Sequence, residues 1–258
     1  MRTIIIALLL TFCFIQVKAQ ALLSGFSLKE KEKVIAIGYG ADVAQEYFIK
    51  SRTLNLPRTI DIIGFYGAVG LKNNWNAVFT YALIDFKPQD FRIGLSKQYA
   101  NIKNWYAVAG GGIYGPSFNY KTEGLNAKGQ QAKGLWIENV IQWRKNSSHI
   151  DFALTANLNY DIPPPNFQAS LAYGFSSKHL YLKMFGTYQY STGNKFYRGT
   201  GNEATETFKE LAVSYFKAGG QIIITKWAWQ PYLGLAQTFW GQNVFKATAF
   251  SAGVIKRF

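Results

Sequence analysis

The chain has 258 residues, 48% of them apolar, 17% aromatic and only 16% charged, with a formal net charge of +14. Disordered chains are poorer in aromatics and richer in charge; a helical membrane protein needs long apolar runs, and this chain has one, at its start, against a mean hydropathy close to zero. The single cysteine excludes an internal disulfide and a thiolate metal centre.

Residues 1–19 read as a secretory signal. Arg2 is the positive start, Ile4 to Ile15 the apolar stretch, and Val17-Lys18-Ala19 the cleavage site before Gln20. Cys13 lies inside this segment, after Phe12 rather than a small residue, so it is not a lipid-attachment site, and the mature chain is expected to carry no thiol. That suits a cell-envelope protein that does without disulfides. Residues 20–33, which include Lys29-Glu30-Lys31-Glu32-Lys33, read as a solvated periplasmic leader, and 34–258 as the folded domain. An exported basic chain with no dense basic run has no nucleic-acid partner in prospect. Its expected partners are outer-membrane lipids and the phosphates of glycolipids.

From residue 34 onward the pattern is alternation, not helical period. A strand is predicted near 34–41, then a long connection over 42–57 and a fainter strand near 58–71. A turn at Lys72-Asn73-Asn74 leads to a strand near 76–87, a connection at Pro88-Gln89-Asp90 and a strand at 91–99, where Phe91, Ile93 and Leu95 oppose Arg92, Ser96 and Gln98. A short turn over 100–104 precedes 105–115, whose second face is filled by Ala and Gly; Ala109-Gly110-Gly111-Gly112 lacks the helix and Lys-Ser/Thr of a phosphate loop and reads as a glycine-rich strand. After a long connection at 116–133, the run 134–145 sets Leu135, Ile137, Ile141 and Trp143 against Glu138, Gln142 and Arg144. The clearest run is 149–160: Ile150, Phe152, Leu154, Ala156, Leu158 and Tyr160 share one face, and His149, Asp151, Thr155, Asn157 and Asn159 the other. Strands at 166–176 and 179–191 repeat the pattern, with Gln168 on the polar face of the first and Lys183 and Gln189 on that of the second. The stiff Pro163-Pro164-Pro165 connection precedes this pair; a long connection at 192–208, a turn near Lys226 and a break at 241–244 follow it.

Breaks alternate between short and longer, as periplasmic turns and external loops do in outer-membrane barrels. The sequence therefore predicts an all-β, antiparallel transmembrane β-barrel of about twelve strands, ten to fourteen, behind an N-terminal signal. Trp75, Tyr99, Trp105, Tyr114, Trp143, Tyr190, Trp227, Trp229 and Trp240 fall at run ends, where interfacial girdles form. The polar faces give the candidate pore or lumen network: Arg92, Gln98, Glu138, Gln142, Arg144, Asp151, Thr155, Asn157, Asn159, Gln168, Lys183 and Gln189.

In the last strand Phe250, Ala252, Val254, Lys256 and Phe258 share one face, and the chain ends on Phe258. This resembles the C-terminal strand signature of bacterial outer-membrane β-barrel proteins. The resemblance implies integral outer-membrane localisation, with Phe258 as the assembly signal and the barrel-assembly machinery as a partner. Lys256 stands where the signature prefers an apolar residue, and a lysine close to the interface can snorkel. The Ala19-Gln20 site and the Lys-, Asn- and Tyr-rich composition look like barrels of the Bacteroidota.

No enzymatic constellation stands out. The two histidines, His149 and His179, lie beside turns, and Ser147, His149 and Asp151 are near in sequence without making a triad. Two histidines with no third ligand make no metal site, and no cofactor is expected. Two functions remain. One is a small channel or transport barrel for small polar or anionic solutes. The other is a non-catalytic structural or accessory subunit of an envelope or secretion complex, with an envelope protein as partner.

Overall fold

A computed structural model of the chain describes residues 28–49, 52–115, 133–160, 164–193 and 212–258. The signal at 1–19, most of the leader, and nearly all of the connections at 116–133 and 192–208 lie outside the described residues. Twelve strands close into one antiparallel barrel: β1 (Lys33–Ile49), β2 (Arg52–Gly70), β3 (Trp75–Ile84), β4 (Lys87–Ile102), β5 (Trp105–Gly115), β6 (Gly134–Lys145), β7 (Ser148–Asn159), β8 (Asn166–Ser176), β9 (Leu180–Ser191), β10 (Ser214–Ile224), β11 (Trp229–Gln242) and β12 (Val244–Arg257). Each strand pairs with its sequence neighbours, and β12 returns to β1. Closure leaves no sheet edge along the wall, which is how a β structure satisfies its backbone in lipid.

Side-chain parity sorts the wall. Ile137, Phe152, Leu154, Leu171, Met184 and Leu235 are exposed on the outer face, while their sequence neighbours turn into the lumen. Paired residues face the same way, so the registers carry this assignment round the barrel. Ten or so residues of strand suffice to cross a bilayer, yet β1 has 17 and β2 has 19. Of the long connection predicted over 42–57, residues 42–49 and 52–57 are therefore strand. Beyond the bilayer no apolar face is demanded, so Gln45, Glu46, Thr53, Asn55 and Arg58 carry no alternation to read. Pro88-Gln89-Asp90 also belongs to a strand, β4. The reversal is a two-residue turn at Asp85-Phe86, with φ of 51° and 60°, the doubly left-handed pattern that matches strand twist. Its sequence hides it, because neither residue is glycine or asparagine. Asp85 ties the turn to β2: its N–H donates to the Asp61 carbonyl at 2.7 Å, its carboxylate accepts from the Asp61 N–H at 3.0 Å, and Arg58 lies 3.7 Å from it.

The rim where β1 begins and β12 ends (the near rim) bears Trp75, Tyr99, Trp105, Trp227 and Trp229, all exposed; Tyr160, Tyr188, Tyr190, Phe239 and Trp240 stand exposed toward the far rim. Tyr114 does not join this ring. It shares a face with Tyr106 and Val108, points inward and donates from its hydroxyl to Asn159. Lys256 does face outward, and its ammonium lies 4.7 Å from the Trp229 ring centroid and 4.5 Å from that of Phe258. Cation–π contact of this kind accommodates a lysine at a position meant for an apolar side chain.

At the near rim, Lys31 takes a left-handed φ of 69° and turns the chain across the end of β2. Gly70 accepts this crossing: a Cβ there would lie 1.9 Å from the Lys29 carbonyl oxygen. The backbone N–H of Leu28 donates to Asn76 Oδ1 at 2.9 Å, so the backbone here is tied to the rim while the side chains of Lys29, Glu30 and Lys31 stay exposed.

Candidate functional site in the barrel lumen

Strand tilt turns cross-strand neighbours into rows that climb the lumen. One row runs from Asn76 at the near rim through Ser96, Gly110, Glu138, Thr155, Gln168 and Gln189 to Tyr215 at the far rim. Hydrogen bonds stitch it. Asn76 Nδ2 donates to Ser96 Oγ at 3.2 Å, Thr155 Oγ1 to Glu138 Oε2 at 2.9 Å, Gln168 Nε2 to Gln189 Oε1 at 2.7 Å, and Gln189 Nε2 to the Val213 carbonyl at 3.1 Å.

The gap in this row at Gly110 has a reason one step higher. The lumen-facing positions of β4 and β5 there are Gly94 and Gly112, and the side chain beside them is Trp136, 0% exposed. A Cβ on Gly94 would lie 2.6 Å from the indole Cζ2. Gly94 of β4 thus makes room for an indole from β6, while Gly112 of β5 lies so close to β4 that a Cβ would meet the Ile93 carbonyl oxygen at 2.0 Å. Val78, Val108, Tyr114, Val140 and Ala153 complete a buried cluster around it.

The twelve polar candidates fall into separate places. Gln142, Arg144, Asp151 and Lys183 gather near the near rim. Glu138 and Thr155 bond to each other at mid-height. Toward the far rim, Asn157 donates to Asn166 at 2.7 Å, Asn159 to the Pro164 carbonyl at 3.0 Å, and Gln168 and Gln189 join as above. Arg92 stacks its guanidinium over Tyr114, 5.2 Å from the ring centroid. Gln98 is paired with Val108 at an irregularity of β4.

Residues that sequence reading missed complete the lumen. Lys217 and Asp42 are almost fully buried on the lumen wall. Asp42 was hidden inside the supposed loop, and Lys217 inside β10, where Gly219-Gly220 blunt the alternation. Tyr66 and Tyr215 also turn inward, within electrostatic reach of Glu138 and of Asp42 and Arg92 respectively. His149, already read on the polar face of 149–160, and Tyr181 join the near-rim cluster, with His149 Nε2 and the Tyr181 hydroxyl 3.0 Å apart. Their only sequence signal was parity with Asp151 and Lys183.

The lumen is one-sided. From β10 round to β2 it is lined largely by small residues: Gly219, Ala236, Gly234, Ser251, Ala249, Gly253, Gly38, Gly40 and Gly64. The twelve polar candidates stand on the opposite wall, β4 to β9, while Asp42, Tyr66, Tyr215, Lys217 and Gln221 add polar side chains to the small-residue arc. Among the described residues no three His, Cys, Asp or Glu side chains gather closely enough to hold a metal ion.

The chain matches no family model, and no curated protein is similar to it in sequence. It is similar in fold to an outer-membrane channel from Pseudomonas putida F1, with a TM-score of 0.71 at 11% identity, covering 91% of this chain and 98% of that one. It is also similar to the NanC porin, with a TM-score of 0.56 at 7% identity, covering 86% of this chain and 98% of that one. At such identities the likeness is one of fold: that of an outer-membrane β-barrel.

Proposed function

We propose that the protein is a non-catalytic outer-membrane channel for small polar solutes, with a preference for anions, its near rim in the periplasm. The observation that carries this reading is the one-sided lumen. Small residues along the β10–β2 arc, with Gln221 among them, stand across from partly exposed Asp151, Lys183, Gln168 and Gln189. A solute moving there exchanges water for side-chain donors and acceptors, which is how polar pores select. Arg92, Arg144 and Lys183 outnumber Glu138 and Asp151 among the candidate groups, and fixed charge in a narrow passage acts more strongly than in bulk water. The barrels it resembles in fold, a channel and a porin, support the same class.

Purified protein in planar bilayers is expected to conduct, with a reversal potential that favours anions at low salt. The preference should fade toward 1 M, where the screening length falls to about 3 Å. Replacing Arg92 and Lys183 together by Gln should move the reversal potential toward cations with the barrel still folded. Silence at every salt concentration sinks the channel.

A second reading has its own support. Trp136, Glu138, Ser96, Thr187 and Lys217 are buried at the centre of the wall, so interior side chains fill part of the bore. A closed barrel with this filling would serve as a structural or accessory subunit of an envelope complex, and a stoichiometric envelope protein recovered with it from solubilised membranes would favour that role.

Assembly by the barrel-assembly machinery is part of either reading. Deleting Phe258 is expected to slow insertion and leave chain in periplasmic aggregates; an unchanged membrane yield would remove Phe258 as the signal.

A further inference from the structure

Asp151 gathers three partners on one carboxylate. Gln142 Nε2 donates to its Oδ1 at 2.5 Å, Lys183 Nζ stands 3.8 Å from its Oδ2, and His149 Nε2 is 3.7 Å from the same oxygen. The His149 ring stacks on that of Tyr181, with centroids 5.6 Å apart and planes 10° from parallel. Gly174 provides the room: a Cβ there would lie 2.2 Å from the imidazole Cε1. Lys183 brings a fixed positive charge to the carboxylate, and Lys183 and Arg144 both act on His149. Glu138 and Lys217 are sealed in the wall, but here the side chains keep 11% exposure at His149, 14% at Asp151 and 19% at Lys183.

This arrangement has the form of a carboxylate site filled from within. A fork of oxygens is held by an amide donor, an ammonium and an imidazole edge, and the surrounding charge is positive enough to take a second anion. A free carboxylate offers the same fork, and charge-assisted hydrogen bonds to it are the strong kind. From Lys183 the cross-strand row continues through Gln221 to Gly234, Ser251 and Gly40, so the cluster opens onto the small-residue wall. We propose that the near-rim cluster is a binding station for small carboxylate solutes, which displace Asp151 from Lys183 and from the His149–Tyr181 edge. The proposal rests on the lumen reading to the extent that solute must reach the cluster, which the near rim allows even where the bore is closed farther on.

The chain has two histidines, and His179 lies exposed in the turn before β9, outside the lumen. Protein labelled at histidine Cε1 with carbon-13 and held in detergent micelles therefore reports the site and its own control. Sodium acetate should be titrated against sodium chloride at constant ionic strength and pH. The His149 resonance is expected to shift saturably with acetate, and His179 to stay still. Lys183→Gln should weaken the midpoint about tenfold, the scale of one hydrogen bond to a charged group, and Asp151→Asn should tighten it by removing the competing carboxylate. A His149 resonance blind to acetate overturns the station. So does an equal response to chloride, which would make it a place for any anion, or a midpoint unchanged in Lys183→Gln. Silent bilayers with a responsive His149 would retire the channel and keep the site; conducting bilayers with an unresponsive His149 would do the reverse.

Discussion

Replacing Trp136 with alanine is expected to destabilise the folded barrel by about 3–5 kcal/mol, the range for deleting a large buried aromatic. The indole is wholly buried over Gly94 and Gly112, with Val108 and Val140 packed beside it. The site cannot collapse around the void. Its floor is glycine backbone, and strands bonded on both sides cannot draw in without breaking register, so the cavity stays and its walls lose their contacts. Trp136→Phe should cost far less: it keeps most of the ring and removes an indole N–H that has no acceptor among the described residues. Urea unfolding of protein folded into lipid vesicles, followed by the shift of gel mobility on heating, gives both values. An alanine variant within 1 kcal/mol of the parent would show that the indole is not the keystone of this wall.

Leu154→Arg is expected to cost about 2–4 kcal/mol and to keep the chain out of the membrane, because an arginine at mid-strand on the outer face meets the hydrocarbon. Leu154 is half exposed there, between Asn139 and Ala169 on the neighbouring strands. Gln221→Arg is the matched control. It places the same side chain on the lumen face beside Lys183 and should assemble normally, with a small penalty from the like charge. Asn157 is a poor control, because it is buried and bonded to Asn166. Heat-modifiable mobility of membrane fractions reads both variants, and equal assembly would invert the two faces.

Legibility followed the bilayer. β7 and β8 could be read residue by residue because lipid on one side and polar lumen on the other force a period of two. β1 and β2 lost the signal where they rise past the hydrocarbon, and the Asp85-Phe86 reversal gave no residue cue. In β5 the missing contrast had a cause elsewhere in the sequence: a Cβ at Gly112 would run into the Ile93 carbonyl and Gly94 Cα of β4. The near-rim cluster was half visible. Gln142, Arg144, Asp151 and Lys183 stood on readable polar faces. His149 and Tyr181 are 32 residues apart, and nothing local announces that their rings stack over Gly174.

The β1–β12 seam bears on when this protein becomes a protein. The Lys33 and Phe258 backbones exchange hydrogen bonds across it, and Lys246 pairs with Glu46 across 200 residues of sequence. Every other seam in the wall is a hairpin and can form as its two strands emerge. This one must wait for the last strand and then close the longest loop in the chain, though loop entropy grows only logarithmically with length. Until then β1 and β12 are both open edges, ready to pair with any strand nearby. The hazard therefore belongs to the interval between synthesis and closure, and a chain shortened by its final strand would keep β1 and β11 open for as long as it lasts.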